Sequence, residues 1–378
     1  MPAVADVLII GGGATGLGIA WRLAQRGARV TVIDRGPLAG EASSHAAGML
    51  VPLAEAHGPG AFLDLCLASS RLYPAFAEEL LAQSGVDIEL GRAGTLHVAL
   101  GGEGADALAR SFAWLQTLPF NVERLDAAGV RSLEPNLCAA AAAGVFVPSE
   151  GWVTPQKLVQ ALARAAAAAG VGLLADHPLL SVEWQGSRPT AVRAGGERIA
   201  AERFVIAAGP WSRQVGEQFG LTVPVFPVRG QLIALDGESA PIRHILIGRG
   251  IYLVPWLSGD VIVGSTMDYA GFVKEVTAEG ITGLLNAAIE LVPALAGRAV
   301  RRAWACLRPG TPDEFPIMGA APGLENVFIA TGHFRNGILL TPITADLMAD
   351  VIQGKPPLIP LTPFRPDRPA LQRPTAVA

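Results

Sequence analysis

The chain has 378 residues, 51% of them hydrophobic and 16% charged, which is ample for a sizeable core and more than one average domain needs. Twenty-nine Lys and Arg against thirty-three Asp and Glu leave a formal net charge of −4 with no basic stripe, so a nucleic-acid partner has no electrostatic footprint. Cys66, Cys138 and Cys306 stand too far apart for a disulfide framework or a paired metal-ligand spacing, so no metal is expected and a reducing cytoplasm fits best.

Val7-Leu8-Ile9-Ile10 is a continuous apolar run stopping at glycine, the pattern of a strand buried on both faces of a parallel sheet. From Ala14 to Gln25 the apolar residues Leu17, Ala20, Trp21 and Ala24 recur at helical spacing, Gly27 ends the helix, and Arg29 to Ile33 reads as a second strand. The run is not read as an export signal, because Gly11, Gly12, Gly13 and Gly16 interrupt it and no basic region precedes it. No stretch of about eighteen apolar residues follows, so no membrane span is expected.

Helical patterns near Ala61 to Gln83 and Pro155 to Ala169 alternate with strand-like runs at Val171 to Leu174 and Phe204 to Ala207, which predicts an α/β, doubly wound core. Between about Val225 and Leu307 the texture changes. Pro227 to Ile233 is strand-like, and Ile251 to Trp256 and Val261 to Val263 flank a turn at Leu257-Ser258-Gly259-Asp260, the signature of an antiparallel hairpin. A strand at Val327 to Ala330, a glycine turn and a helix to about Ile352 return to the first layer. The proline-dense tail from Lys355 reads as an extended strap. The predicted organisation is interleaved: residues 1–85, 145–220 and 309–378 form a Rossmann-like nucleotide-binding domain, and residues 86–144 and 221–308 an antiparallel-sheet, α+β substrate domain.

Gly11-x-Gly13-x-x-Gly16 lies directly between the first strand and the first helix, the context that gives this motif meaning. Gly11 permits the tight turn, Gly13 lets the backbone approach a pyrophosphate at the helix N-terminus, and Gly16 allows tight packing of helix on strand. Asp34 closes the second strand, where a carboxylate accepts hydrogen bonds from a ribose diol. Two further segments favour a flavin over a nicotinamide. Glu41 to Leu50 is rich in small residues that let backbone lie against a bulky planar group. Ala330 to Leu340 repeats the strand, glycine turn and helix logic, offering N–H groups and a positive dipole end to an electron-rich ring edge.

These residues resemble the FAD-dependent amine oxidases of the D-amino-acid oxidase superfamily, and within it the glycine oxidases of bacterial thiamine biosynthesis. The resemblance covers nearly the whole chain. Besides the dinucleotide motif it rests on Ala46-Ala47-Gly48-Met49-Leu50, Ser84 to Ile88, Tyr252-Leu253-Val254-Pro255, Val263 to Met267, Leu307-Arg308-Pro309-Gly310-Thr311-Pro312-Asp313 and Gly332-His333-Phe334-Arg335-Asn336-Gly337.

The resemblance implies that Arg308 clamps the substrate carboxylate, that the Tyr252 hydroxyl assists, and that Met267 helps form a small pocket. Guanidinium suits that task, being a planar two-pronged donor. On the same basis Ala14, Thr15, Arg35, Ser43, Ser44, Ala46, Ala47, Gly48, Met49 and Val182 join Gly11, Gly13, Gly16 and Asp34 at a non-covalent FAD. Arg335, Asn336, Gly337, Ile338 and Leu339 are placed beside the flavin ring. Arg301, Arg302, Arg229 and Arg249 remain rival clamps, and His45 and His333 have no assigned role.

Three departures from the family pattern stand out. Trp256 replaces a more usual arginine, Gly250 stands where one branch has histidine, and Asp34 replaces a longer glutamate. The first two are expected to reshape the pocket entrance. The implied reaction is oxidation of glycine, and of other small amines or D-amino acids, to the imine and then glyoxylate and ammonia. O₂ would take the electrons to give hydrogen peroxide, and the imine would feed thiazole assembly. The alternative is a D-amino-acid or N-alkylglycine dehydrogenase passing electrons to a carrier or quinone. A cytoplasmic homotetramer is implied by resemblance alone.

Overall fold

A computed structural model of the chain describes residues 4–55, 58–117, 121–238 and 242–372. The apolar run after the N-terminus forms strand Ala5–Ile10, followed by helix Ala14–Gln25 and strand Val30–Ile33, as the spacing predicts. Ala5–Ile10 is the centre of a sheet in the order 317–321, 324–331, 197–206, 5–10, 30–33, 172–174. Along this path four pairings are parallel, and the terminal hairpin Ile317–Ala321 with Leu324–Thr331 is antiparallel. A second hairpin, Leu179–Gln185 with Arg188–Ala194, extends the edge of strand Glu197–Ile206.

Leu8, Ile9, Val32 and Val205 are fully buried because helices and further structure cover both faces of this sheet. Helix Ala14–Gln25 packs on helix Pro155–Ala168 and on the C-terminal helix Thr341–Ile352. Gly18 makes the second approach possible, since a Cβ there would lie 3.3 Å from that of Ala345. Trp21, Tyr73 and Phe76 fill the layer between these helices and Ala61–Ser84.

The second sheet has the order 300–310, 226–236, 260–264, 251–255, 245–248, 95–100, 141–147, 123–126. Strands Ile251–Pro255 and Asp260–Gly264 form the expected hairpin. One pairing departs from the antiparallel expectation: Ile245–Gly248 runs parallel to Thr95–Leu100. The sequence boundary at 144/145 falls inside strand Ala141–Val147 and that at 308/309 inside strand Val300–Gly310, both members of this sheet. Each strand continues past the change in sequence texture because its backbone pairing does.

The tail does run extended over the surface up to residue 372, interrupted by single turns at Thr362–Phe364 and Pro369–Gln372. Its anchor is Arg368, 7% exposed, whose guanidinium makes two bonds to the Asp313 carboxylate at 2.7 and 2.8 Å and a third to the Pro316 carbonyl. Asp313 also accepts from the Phe315 N–H, which fixes the loop following Arg308.

Candidate active site

A long channel opens at the carboxyl ends of the parallel strands, lined by Ile10, Asp34, Ala207 and Thr331, and runs to the wall made by the second sheet. This is where an open parallel sheet places its ligands. The glycine turn works as its spacing predicts. A Cβ on Gly16 would sit 1.9 Å from the Gly11 carbonyl oxygen, so only glycine lets the helix close onto the turn. Gly11 itself has φ +117° and faces the Ala207 carbonyl.

Asp34 receives the Gly12 N–H at 2.7 Å on one oxygen and the Gly36 N–H at 3.1 Å on the other. Each oxygen keeps a lone pair for the channel, as a ribose diol requires. At the helix N-terminus the Ser43 hydroxyl accepts from the Ala14 N–H at 3.0 Å. The neighbouring Ser44 turns away to donate to the Ala39 carbonyl, so it braces the short helix Ala42–His45 without lining the channel.

Thr15, Arg35, Ala46, Ala47, Gly48 and Met49 do line it. Gly48, at φ +85°, is required because a Cβ would lie 1.9 Å from the Val153 carbonyl. Two indoles from the second sheet hold this segment: Trp256 Nε1 donates to the Ala47 carbonyl and Trp304 Nε1 to that of His45, both at 2.9 Å. Trp256, 6% exposed, therefore stands behind the channel wall and not at its entrance. Gly250 is also absent from the lining; it sits at an exposed hairpin tip with φ +75°.

On the C-terminal side His333, Arg335, Gly337 and Ile338 face the channel. The expected helix N-terminus is displaced, since residues 334–336 form a single tight turn and the helix begins only at Thr341. Pro342 at its start and the bonds Ser69 Oγ to Leu339 O and Tyr73 Oη to Ile338 O set this shape. Leu339 and Asn336 thus support the turn from behind the channel. His333 gives Nε2 to a 3.0 Å bond with Thr344, and burial pushes its pKa down to about 4, so the ring is neutral at neutral pH.

The far wall is one face of the second sheet. Cys306 and Arg308 alternate on strand Val300–Gly310, Leu232 faces the channel from the next strand, and Tyr252 from Ile251–Pro255. Two glycines carve space for these groups. A Cβ at Gly230 would meet both terminal nitrogens of Arg308 at 2.2 Å, and one at Gly264 would meet the Tyr252 hydroxyl and ring at 2.4 Å.

Arg308 donates to the Ser265 hydroxyl and to the Thr266 carbonyl, both neutral acceptors. Among the described residues no carboxylate pairs with it. Every rival is engaged: Arg229 with Asp268 at 3.0 Å, Arg249 with Glu290 at 2.8 Å, Arg301 with Asp236 at 3.3 Å, and Arg302 over the Trp304 ring at 4.3 Å. A half-buried guanidinium that faces a cavity and bonds only neutral acceptors among the described residues has the chemistry to take an anion. Burial pushes the Tyr252 hydroxyl's pKa up against the pull of Arg308, so the phenol stays a protonated donor.

Glu55 is a channel residue that sequence reasoning missed. It ends the short helix Pro52–Glu55, is 9% exposed and pairs with Arg335 at 3.0 Å. Burial raises its pKa, opposed by the charges of Arg335 and then Arg308. Its only sequence signal is an acid at the end of the apolar run Val51-Pro52-Leu53-Ala54. Two assigned residues lie elsewhere. Met267 is 50% exposed, because after Ser265 the chain swings out to form the backbone bridge between Asp268 and Arg229. Val182 pairs with Val192 and packs against the core on one face of the first sheet, beside Phe204 and Phe219, leaving His177, Pro178 and Leu179 to line the channel.

The model of the FAD-dependent oxidoreductases matches residues 6–351. The chain belongs to that family. The glycine oxidase of Geobacillus kaustophilus is 35% identical over 95% of this chain and 96% of its own length. Its crystal structure superimposes with a TM-score of 0.93, covering 96% of this chain and 98% of that one. The iminodiacetate oxidase of Chelativorans follows the same course with a TM-score of 0.86 at 29% identity, over 95% of this chain and 98% of that one. A bifunctional ThiO/ThiG protein of Synechocystis is 38% identical over 95% of this chain, which spans only 53% of that longer relative.

In this FAD-dependent oxidoreductase the channel fits its cofactor by chemistry as well as by family. Glycine turn, helix N-terminus and Asp34 suit a pyrophosphate and ribose, and the small residues 46–48 leave room for a flat ring. Gly230→Ala offers a test of the far wall that deletes no functional side chain. Its new methyl displaces the flexible tip of Arg308, so the variant is expected to fold and bind flavin while losing at least tenfold in kcat/KM for a carboxylate-bearing amine. Steady-state kinetics beside a flavin spectrum check this, and unchanged kinetics would remove Arg308 from the site.

Proposed function

We propose that this flavoenzyme oxidises glycine, and other small amines or D-amino acids, to the imine, with hydrolysis to glyoxylate and ammonia and reduction of O₂ to hydrogen peroxide. The observation that carries the reading is Arg308, unpaired with any carboxylate among the described residues and facing the channel beside Tyr252. Arg308 grips the substrate carboxylate with two parallel bonds, and the Tyr252 hydroxyl donates a third. Both groups face the channel from the second sheet, on strands Val300–Gly310 and Ile251–Pro255 with two strands between them, so the substrate Cα is held in a fixed direction relative to the channel axis. FAD, which the glycine turn, Asp34 and the small residues 46–48 would hold, would supply the two-electron acceptor for the Cα hydride, with O₂ as the final oxidant.

Orientation is the protein's main contribution, because an amine with its carboxylate fixed needs no histidine base. His333, whose pKa burial lowers to about 4, is a weak base, in keeping with that. The Glu55–Arg335 pair cancels the second guanidinium's charge, leaving Arg308 as the dominant cation for a monocarboxylate. Likeness to glycine oxidases and to a ThiO/ThiG protein supports a place in thiamine thiazole biosynthesis, where the imine is consumed. The reading includes the interleaved two-domain division and, by resemblance, a cytoplasmic homotetramer.

Anaerobic glycine is expected to bleach the flavin band, and air to restore it with one equivalent of peroxide. A band that glycine, sarcosine and D-alanine all leave untouched would overturn the proposal. Acid precipitation of the same sample is expected to release free flavin. Cys306 lines the channel, but burial holds its thiol protonated and a poor nucleophile.

A further inference from the structure

The loop after strand Asp260–Gly264 leaves the second sheet and reaches across to the nucleotide end of the channel. Both of its ends are pinned by one side chain: Arg229 pairs with the Asp268 carboxylate at 3.0 Å and donates to the Glu275 carbonyl at 3.1 Å. Gly271, at φ +60°, lets the intervening chain turn. At the far side Lys274 Nζ bonds both oxygens of Glu41, at 2.9 and 3.1 Å, and the Phe272 ring lies 5.4 Å from that of Trp211. Arg35 stacks 3.5 Å above Trp211 and pairs with Glu41 at 2.8 Å, which closes a ring of five side chains.

Three of the five, Arg35, Glu41 and Trp211, line the channel, whereas Phe272 and Lys274 stand outside it. The loop therefore ties the wall that carries Arg308 to the segment that follows Asp34, along the channel side formed by Arg35, Glu41 and Trp211. We propose that residues 268–275 form a clasp that retains FAD once it has entered, and that the clasp opens for the cofactor to leave. The idea rests on the reading of this channel as the FAD site.

The charged links are half exposed, at 45% for Arg35, 32% for Glu41 and 44% for Lys274, so each is weak and screened by salt. The aromatic contact, with Phe272 42% exposed, carries no charge and is not screened by salt. Such a device resists opening without making it prohibitive, and its strength follows ionic strength. A merely structural loop would raise protein stability without altering how fast bound flavin escapes.

The experiment is to dilute the holoenzyme and follow the rise of free FAD fluorescence. Phe272→Ala/Lys274→Ala is expected to release FAD about tenfold faster than the parent, the sum of one aromatic and one exposed ionic contact. Release from the parent is expected to quicken between 50 mM and 500 mM NaCl, and that salt response to shrink in the variant. Lys274→Glu, which sets like charges together on the surface without touching the core, provides a second variant and should also accelerate release. Release rates within twofold of the parent for both variants would overturn the clasp. A parent protein that purifies without flavin would instead overturn the reading of the channel.

Discussion

Arg308→Ala is expected to leave the protein folded and yellow while raising KM for glycine by about two orders of magnitude or more. Among the described residues the guanidinium bonds only a hydroxyl and a carbonyl, so its removal strands no described carboxylate and costs little stability. What is lost is a charge-assisted, two-pronged bond to the substrate. Truncating one partner of such a pair typically costs 2–5 kcal/mol, or roughly 30- to several-thousand-fold. Benzylamine, which has no carboxylate, should be handled equally poorly by parent and variant. Arg308→Lys is expected to recover only part of the loss, because an ammonium cannot match the planar fork. Kinetics with both amines decide the matter, and a glycine KM unmoved by Arg308→Ala would mean that the substrate binds elsewhere.

Gly16→Ala is expected to yield protein without flavin. The added methyl would lie 1.9 Å from the Gly11 carbonyl oxygen and 3.3 Å from the Ile9 side chain. Unlike the tip of Arg308 facing Gly230, this obstacle is backbone, held between two strands by the bond from Gly11 N–H to Ile33 O. The helix must move outward, taking its N–H groups away from the pyrophosphate position and disturbing its packing on the sheet. Overpacking of this kind costs about 1–3 kcal/mol in stability. The flavin-to-protein absorbance ratio and the thermal unfolding midpoint are the two readouts. Stoichiometric flavin in Gly16→Ala would refute the assigned role of that glycine.

The nucleotide end of the site was the most legible part of the chain. Strand, glycine turn, helix, strand and Asp34 occupy thirty consecutive positions, Ala5 to Asp34, and each is governed by neighbours within a few residues. Local spacing is therefore sufficient, because a glycine required by a turn is required by the turn's own backbone. The C-terminal segment was read less well. Its glycines signalled a turn, yet the helix start moved to Thr341 because Ser69 and Tyr73, both on the distant helix Ala61–Ser84, capture the Leu339 and Ile338 carbonyls.

The substrate end depended on more than local order. Met267 sits in a motif shared with the family, but its orientation follows from the bridge that Asp268 makes to Arg229 on another strand. Trp256 looked like a change at the pocket entrance, and its indole instead pins Ala47, a residue far away in the chain.

Sequence by itself determined the α/β architecture and the flavin nucleotide site, since patterning and turn chemistry act over short distances along the chain, and the resemblance of its motifs implied the oxidoreductase activity. Only the tertiary structure shows that Arg308, unlike the rivals weighed beside it, has no carboxylate partner among the described residues, and that Glu55 pairs with Arg335. Charge pairing depends on separation in space, and Arg308, its engaged rivals, Glu55 and Arg335 acquire their neighbours only when the two sheets are assembled.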